Sequence, residues 1–201
     1  MIGRLSLNLI GTPRSHFTRK VRLLLDHLEH PYTLVDIGNV ADQDQSQFAG
    51  NPLMSVPVLE HNETVIYGSD HISAYLVRKL DPEDRFQVDI DDWERLNARS
   101  VLNGAMAAEV KLVLAERAGI DMTDMAFFEK ARKSILNAIQ WCESKSELLE
   151  NASLTYLQFH FISFWDHAHL YKLIDREWPI LERIAKNISL SEIVSRSAPS
   201  L

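Results

Sequence analysis

A few short segments of the 201-residue sequence hold groups whose type and spacing chemistry could use. Val56-Pro57 stands at the start of a short apolar run, where proline cannot serve as an ordinary ladder residue. A proline there marks a tight turn, with a cis peptide bond as one form. It leaves the neighbouring backbone N–H and C=O free to pair with a ligand. Alone the pair reads equally well as a strand-entry proline. Its place ten residues before Tyr67-Gly68-Ser69-Asp70 gives the ligand reading its weight. Ser15 and Ser69 each precede a helical run, where a hydroxyl caps exposed backbone N–H groups. The stretch from Phe159 to His169 offers His160, Asp166 and His167 as metal ligands. Zinc needs at least three convergent ligands, which one helix supplies only by bending, so no metal is expected. The aromatics there read as helical core with the histidines at its edge. Cys142 is the only cysteine and lies on an apolar stripe, which makes it a small buried hydrophobe rather than a nucleophile.

The elements that must position these groups follow from periodicity. Leu5, Leu7 and Leu9 alternate with polar residues, as in a strand with one buried face, and Gly11-Thr12-Pro13 ends it. Phe17, Val21, Leu24, Leu25 and Leu28 then mark one face of a helix, which His30-Pro31 stops. Residues 32–36 read as a second strand, which completes a βαβ unit with parallel strands. Gly38 to Gly50 is polar loop with a short helix. Residues 56–60 and 64–67 form a hairpin across His61-Asn62-Glu63, and a helix follows with Ile72, Tyr75, Leu76 and Leu80 on its stripe. The order is βαβ–ββα, complete by residue 80.

Asp81-Pro82-Glu83-Asp84 is the clearest boundary, and everything beyond it reads as helix. Asp89, Asp91, Asp92 and Glu94 suit the positive end of a long helix. Phe128, Ala131, Ile135, Ala138 and Cys142 mark a second helix. Thr155 and Gln158 have capping-box spacing at the start of a third, and Trp178-Pro179 opens a fourth. A short one is placed over Ser189 to Ser195. The expected fold class is α+β over residues 1–80, a linker over 81–87, and an all-α domain over 88–201.

Composition excludes other classes. Twenty-one Lys and Arg against 28 Asp and Glu leave a charge of −7, with no basic bias toward nucleic acid. No run of eighteen apolar residues exists, so neither a spanning helix nor a membrane partner is expected. The N-terminus alternates where a signal peptide needs a continuous apolar stretch, which makes a cytoplasmic location the expectation. A lone cysteine rules out an internal disulfide framework.

Three segments together resemble the glutathione S-transferase family, and the resemblance extends over the whole chain. Residues 15–22, Ser-His-Phe-Thr-Arg-Lys-Val-Arg, are similar to the first-helix segment of many bacterial members. Residues 51–59, Asn-Pro-Leu-Met-Ser-Val-Pro-Val-Leu, resemble the approach to the family's cis-proline. Gly68-Ser69-Asp70-His71-Ile72 resembles its serine at a helix start. The resemblance implies a thioredoxin-like N-terminal domain, a helical C-terminal domain, a homodimer, and glutathione as co-substrate.

It also implies roles. Val56, before Pro57, pairs its main chain with the cysteinyl part of glutathione. Ser69, with the N–H groups of Ser69 and Asp70, holds the γ-glutamyl carboxylate at a helix N-terminus. A hydroxyl near the first helix donates to the sulfur and favours the thiolate. Ser15 is the first candidate, with Thr12 and Thr18 as competitors, and His16 stands where many relatives have proline. No cysteine lies in this region, which disfavours thiol–disulfide exchange. Val101 and Met106, on the first long helix of the C-terminal domain, are implied to line the site of a small apolar electrophile.

Two positions depart from the family pattern. Ser55 stands where many members carry a basic residue, and Gly68 where many carry Glu or Gln. A lost charge-assisted contact costs about 1.5–3 kcal/mol, and Arg14 or Lys20 are the cations that could replace one. The expected function is a glutathione transferase. The alternatives are a non-catalytic relative acting through protein–protein contacts and a carrier of apolar ligands.

Overall fold

A computed structural model describes residues 7–41 and 43–200, and Leu5 of the first expected strand lies outside them. The chain divides into two compact units, Met1–Asp89 and Ile90–Leu201.

In the first unit, strands β1 (Leu7–Gly11), β2 (Thr33–Asp36), β3 (Val58–His61) and β4 (Thr64–Tyr67) form one sheet in the order β2-β1-β3-β4. β1 runs parallel to β2 and antiparallel to β3, which pairs antiparallel with β4. This is the thioredoxin-like arrangement that the resemblance implies, built from the expected βαβ–ββα order. The central strand departs from simple alternation. Leu7, Leu9 and Ile10 are all buried, as on a strand covered on both faces. The edge strands β2 and β4 are largely exposed.

Helix α1 (His16–His27) and helix α2 (Ser69–Leu80) pack on one another. α1 buries Val21, Leu24 and Leu25 of the expected stripe. Gly11 belongs to β1 and serves a close approach, where the sequence suggested a turn. A Cβ there would lie 2.5 Å from both Thr18 Cγ2 and Thr18 Oγ1. Only glycine lets α1 sit so near the strand.

Residues 81–89 close the first unit as an ordered turn. The Asp81 carboxylate accepts from Arg85 N–H and from Arg85 Nε, at 2.9 and 2.8 Å. The Asp84 carboxylate accepts from the N–H groups of Val88 and Asp89, at 2.8 and 2.7 Å, and Val88 is buried.

The second unit is helical: α3 (Trp93–Arg117), α4 (Ala126–Ser144), α5 (Tyr156–Leu170), α6 (Pro179–Ile188) and the short α7 (Glu192–Arg196). Asp92 caps α3 by accepting from Glu94 and Arg95 N–H. α5 carries the core, with every residue from Tyr156 to Trp165 buried. The capping box is reciprocal: Thr155 N–H donates to Gln158 Oε1 at 2.9 Å, and Gln158 N–H donates to Thr155 Oγ1 at 3.4 Å. Gln158 Nε2 also donates to Leu149 O. Glu143 of α4 accepts from the N–H groups of Ile180 and Leu181 and so caps α6. His160 and His167 are buried rather than at the edge of the core, because the helix they sit on is enclosed nearly all round. Cys142 is buried too, and burial pushes its thiol up to about 12.

Candidate functional site

The sheet register gathers three segments of the first unit at one end of the sheet. Ile10 pairs with Val58, and Val58 pairs with Tyr67. The chain therefore leaves β1 toward Thr12–Ser15, enters β3 from Val56-Pro57, and leaves β4 toward Gly68–Asp70 at the same sheet end. The first segment lies more than 40 residues before the other two, which are about a dozen residues apart, and the antiparallel pairing of β3 with β1 and β4 brings all three together.

At the first segment, Ser15 N–H donates to Thr12 O at 3.1 Å, which forms the turn between β1 and α1. Ser15 takes an extended conformation, and its Oγ accepts from Thr18 N–H at 3.2 Å, the N-cap that the sequence indicates. The cap occupies a lone pair, so the half-buried hydroxyl keeps its O–H as a donor. Thr18 is fully buried against Gly11, and its Oγ1 has no hydrogen-bond partner among the described residues. Thr12 is also buried.

At the second segment, the Val56–Pro57 bond is cis. β3 begins at Val58, and the backbone N–H and C=O of Val56 pair with nothing among the described residues. Asn51, which sequence reasoning did not single out, builds the approach. It is buried, its Nδ2 donates to Ser55 O at 2.9 Å and to Ser55 Oγ at 3.2 Å, and its Oδ1 accepts from Leu53 N–H. The signal was present as Asn51-Pro52, an Asx-turn dipeptide.

The third segment corrects one expectation. Gly68 is the N-cap of α2 and Ser69 is its first helical residue, because the cap has φ 82°, which glycine alone adopts without strain. No side chain caps this helix, and its first internal bond runs from Ile72 N–H to Gly68 O. The N–H groups of Ser69, Asp70 and His71 thus belong to an open helix N-terminus, positive by about half a charge. Ser69 is buried there. Asp70 accepts from Lys20 Nζ at 2.9 Å, and the lysine side chain is 0% exposed against 30% for the aspartate. Lys20 is therefore committed to Asp70, while Arg14 is exposed on the turn before α1.

In the helical unit, Val101 is half-buried and Met106 fully buried on α3. A cavity of about 460 Å³ in this unit is lined by Leu149, Glu150, Gln158, Arg183 and Asn187 among others, and by neither Val101 nor Met106. His160 stacks near Tyr156, at 6.1 Å between ring centroids. His167 Nδ1 lies 3.2 Å from Glu109 Oε2 of α3. Burial holds the Glu109 carboxyl well above its usual range. Burial, aided by the Arg117 charge, lowers His167 to about 4. Burial thus pushes both groups toward their neutral forms. Sequence reasoning missed Glu109, whose signal was an acid set within the apolar run from Ala105 to Val113.

Residues 9–83 match the model of the glutathione S-transferase N-terminal domain. A glutathione S-transferase of Hypomyces subiculosus, hmp2, is 35% identical over 89 residues, covering 44% of this chain and 42% of that protein. One from Silene vulgaris is 32% identical over 82 residues, covering 40% and 38%. These matches span about two fifths of the curated relatives' length. Among solved structures, a glutathione S-transferase of Methylobacillus flagellatus with glutathione bound superimposes with a TM-score of 0.82. It is 21% identical and covers 97% of this chain and 100% of that one. One from Methylobacterium radiotolerans, in complex with glutathione sulfonate, has a TM-score of 0.81 at 22% identity, covering 98% and 96%. Residues 9–83 are thus similar to the N-terminal domain of glutathione S-transferases, and the fold of solved glutathione S-transferases extends over nearly the whole chain.

Proposed function

We propose that the protein is a cytoplasmic, homodimeric glutathione transferase, which adds the glutathione thiolate to a small apolar electrophile or uses it to reduce one. The observation that carries this reading is the register Ile10–Val58–Tyr67, which collects a hydroxyl, an unpaired backbone and an open helix N-terminus at one sheet end. Those three features match the chemistry of glutathione, a peptide with a thiol and two carboxylates. Val56 offers its N–H and C=O to the cysteinyl backbone beside Pro57. Ser69 and the N–H groups of Ser69 and Asp70 take the γ-glutamyl carboxylate. Ser15 donates its O–H to the sulfur, and the positive end of α1 adds to the preference for thiolate over thiol. The thiol proton passes to solvent, and the thiolate attacks the electrophilic carbon: the carbon–sulfur bond forms as the bond to a leaving group, or a π bond at that carbon, breaks and takes its electron pair. Burial of the Thr18 hydroxyl in the packing against Gly11 favours Ser15 over Thr18 for this role. Val101 and Met106 belong to the lining of the electrophile site in this reading.

Calorimetric titration with reduced glutathione tests it. Saturable binding in the millimolar range or below is the expected result, and no saturation well beyond that range, by heat and by a second probe, overturns it. With binding established, Ser15→Ala should lower the turnover of an electrophile panel by about a hundredfold or more, as for loss of one donor to a developing anion. The same variant should cost about 1 kcal/mol of stability for the cap.

A second reading has its own support. Ser55 is engaged by Asn51 and Lys20 by Asp70, which leaves Arg14 as the cation for the glycine carboxylate. A relative that has given up glutathione and acts by protein–protein contact, or that carries apolar ligands without turnover, would show these losses. Glutathione affinity separates the first of these from the enzyme, and turnover separates the second.

A further inference from the structure

We infer that Lys20 is a positioning residue which keeps the N-terminus of α2 receptive to a carboxylate by neutralising Asp70. The inference rests on the glutathione reading, in which that helix end receives the γ-glutamyl carboxylate. Asp70 sits in the first turn of α2, where a carboxylate stabilises the helix but also opposes an incoming anion at the same N–H groups. Gly68 contributes no side chain there, so Asp70 is the acid of that turn. The cation that offsets it comes from 50 residues away: Lys20 of α1 places its Nζ 2.9 Å from Asp70 Oδ1. The lysine is wholly buried and Asp70 is 30% exposed, so the ammonium lies beneath the carboxylate, on the side away from solvent. Carboxylate and ammonium cancel, and the partial positive charge of the open helix end remains for the ligand. The aromatic face of Phe17, 5.6 Å from Nζ, adds a further contact that suits a cation. Lys20 thus acts through Asp70 and does not touch the ligand.

This account makes a prediction about sign that a purely structural tether does not. Removing the cation alone leaves the Asp70 charge to repel the ligand. Removing both charges restores the balance, although the tether is still gone. The test measures the affinity of the full-length protein for glutathione and for the dipeptide Cys-Gly, which lacks the γ-glutamyl carboxylate. Lys20→Met should weaken glutathione binding about ten- to a hundredfold and leave Cys-Gly nearly unchanged. Lys20→Met combined with Asp70→Asn should recover most of the glutathione affinity. Equal losses for both ligands, or a double variant as weak as Lys20→Met, would overturn the inference while leaving the glutathione reading intact. No glutathione binding by the unaltered protein would overturn that reading, and this inference with it. If Lys20→Met does not fold, the double variant, which strands no buried charge, carries the test. Near-native glutathione affinity then supports the charge-balance role, and a loss confined to glutathione refutes it.

Discussion

The two units each hold a pair of ionisable side chains, one pair partly solvated and the other buried. In the sheet unit, Lys20 and Asp70 form an ion pair at 2.9 Å in which the carboxylate keeps 30% exposure. In the helical unit, Glu109 and His167 lie 3.2 Å apart with exposures of 0% and 7%, and burial pushes both toward their neutral forms. Separation is similar, so burial decides the charge state. A carboxylate that still sees water at the first turn of a helix can stay ionised and hold a buried ammonium. A carboxyl sealed within a helical bundle is driven toward its protonated form, since desolvation costs more than a partner of low basicity returns. The first pair lies where the segments of the candidate site converge, and the second ties α3 to α5.

The largest effect expected from breaking this contrast is in Asp70→Asn, which removes the carboxylate paired with the buried Lys20 ammonium. It should approach the 3–5 kcal/mol typical of stranding a buried charge, measured by denaturant unfolding. Lys20→Met should cost clearly less, because the carboxylate it strands is partly solvated. Equal costs would mean that the exposures do not set the energies.

Gly11→Ala tests the same unit by steric means, since its Cβ would meet Thr18 at 2.5 Å. A loss of about 1–3 kcal/mol is expected from overpacking between β1 and α1, again by denaturant unfolding. The variant Gly11→Ala with Thr18→Ser, which removes the methyl group, should regain part of it.

The smallest effect expected is in Glu109→Gln, about 1 kcal/mol or less, because burial already pushes this acid toward its uncharged form and an amide of the same shape replaces it. Its signature is the pH profile. Glu109 has a raised pKa in the folded state, so its contribution is fully present below the ordinary value of 4.5 and is lost as pH rises through the folded value. His167 is depressed from 6.5 to about 4, so its contribution is present above 6.5 and is lost as pH falls toward 4. The two slopes oppose one another from about 4.5 upward, until pH passes 6.5 or the folded value of Glu109. The stability of the unaltered protein relative to Glu109→Gln should therefore fall as pH rises from 4.5, as measured by unfolding at a series of pH values. Parallel profiles would show that burial does not raise Glu109.

Much of the architecture was legible because it is local. The spacing from Phe17 to Leu28 marks α1, the turn residues bracket the β3–β4 hairpin, and Thr155 with Gln158 marks the start of α5. Each rests on side chains within one or two turns of one another, where periodicity and capping chemistry operate. Val56-Pro57 was legible for the same reason, as a proline at a strand entrance. Ser69 was misread as a cap because serine is the commoner N-cap, while the cap here needed a positive φ that favours Gly68. The histidines of α5 were placed at an edge because a helix read alone shows its polar residues but not how many neighbours surround it.

Sequence alone determined the order of elements, the helical character of the second unit, the turn chemistry and the hydroxyls and glycines that punctuate it. These are consequences of backbone dihedral preference and of one- or two-turn periodicity, which each segment expresses by itself. Only the tertiary structure decided which distant groups meet: Val56 with the ends of β1 and β4 through the register of β3, Lys20 with Asp70, and Glu109 with His167. The charge state of each pair depends on how much water its surroundings admit, and no residue's own sequence neighbourhood specifies that quantity.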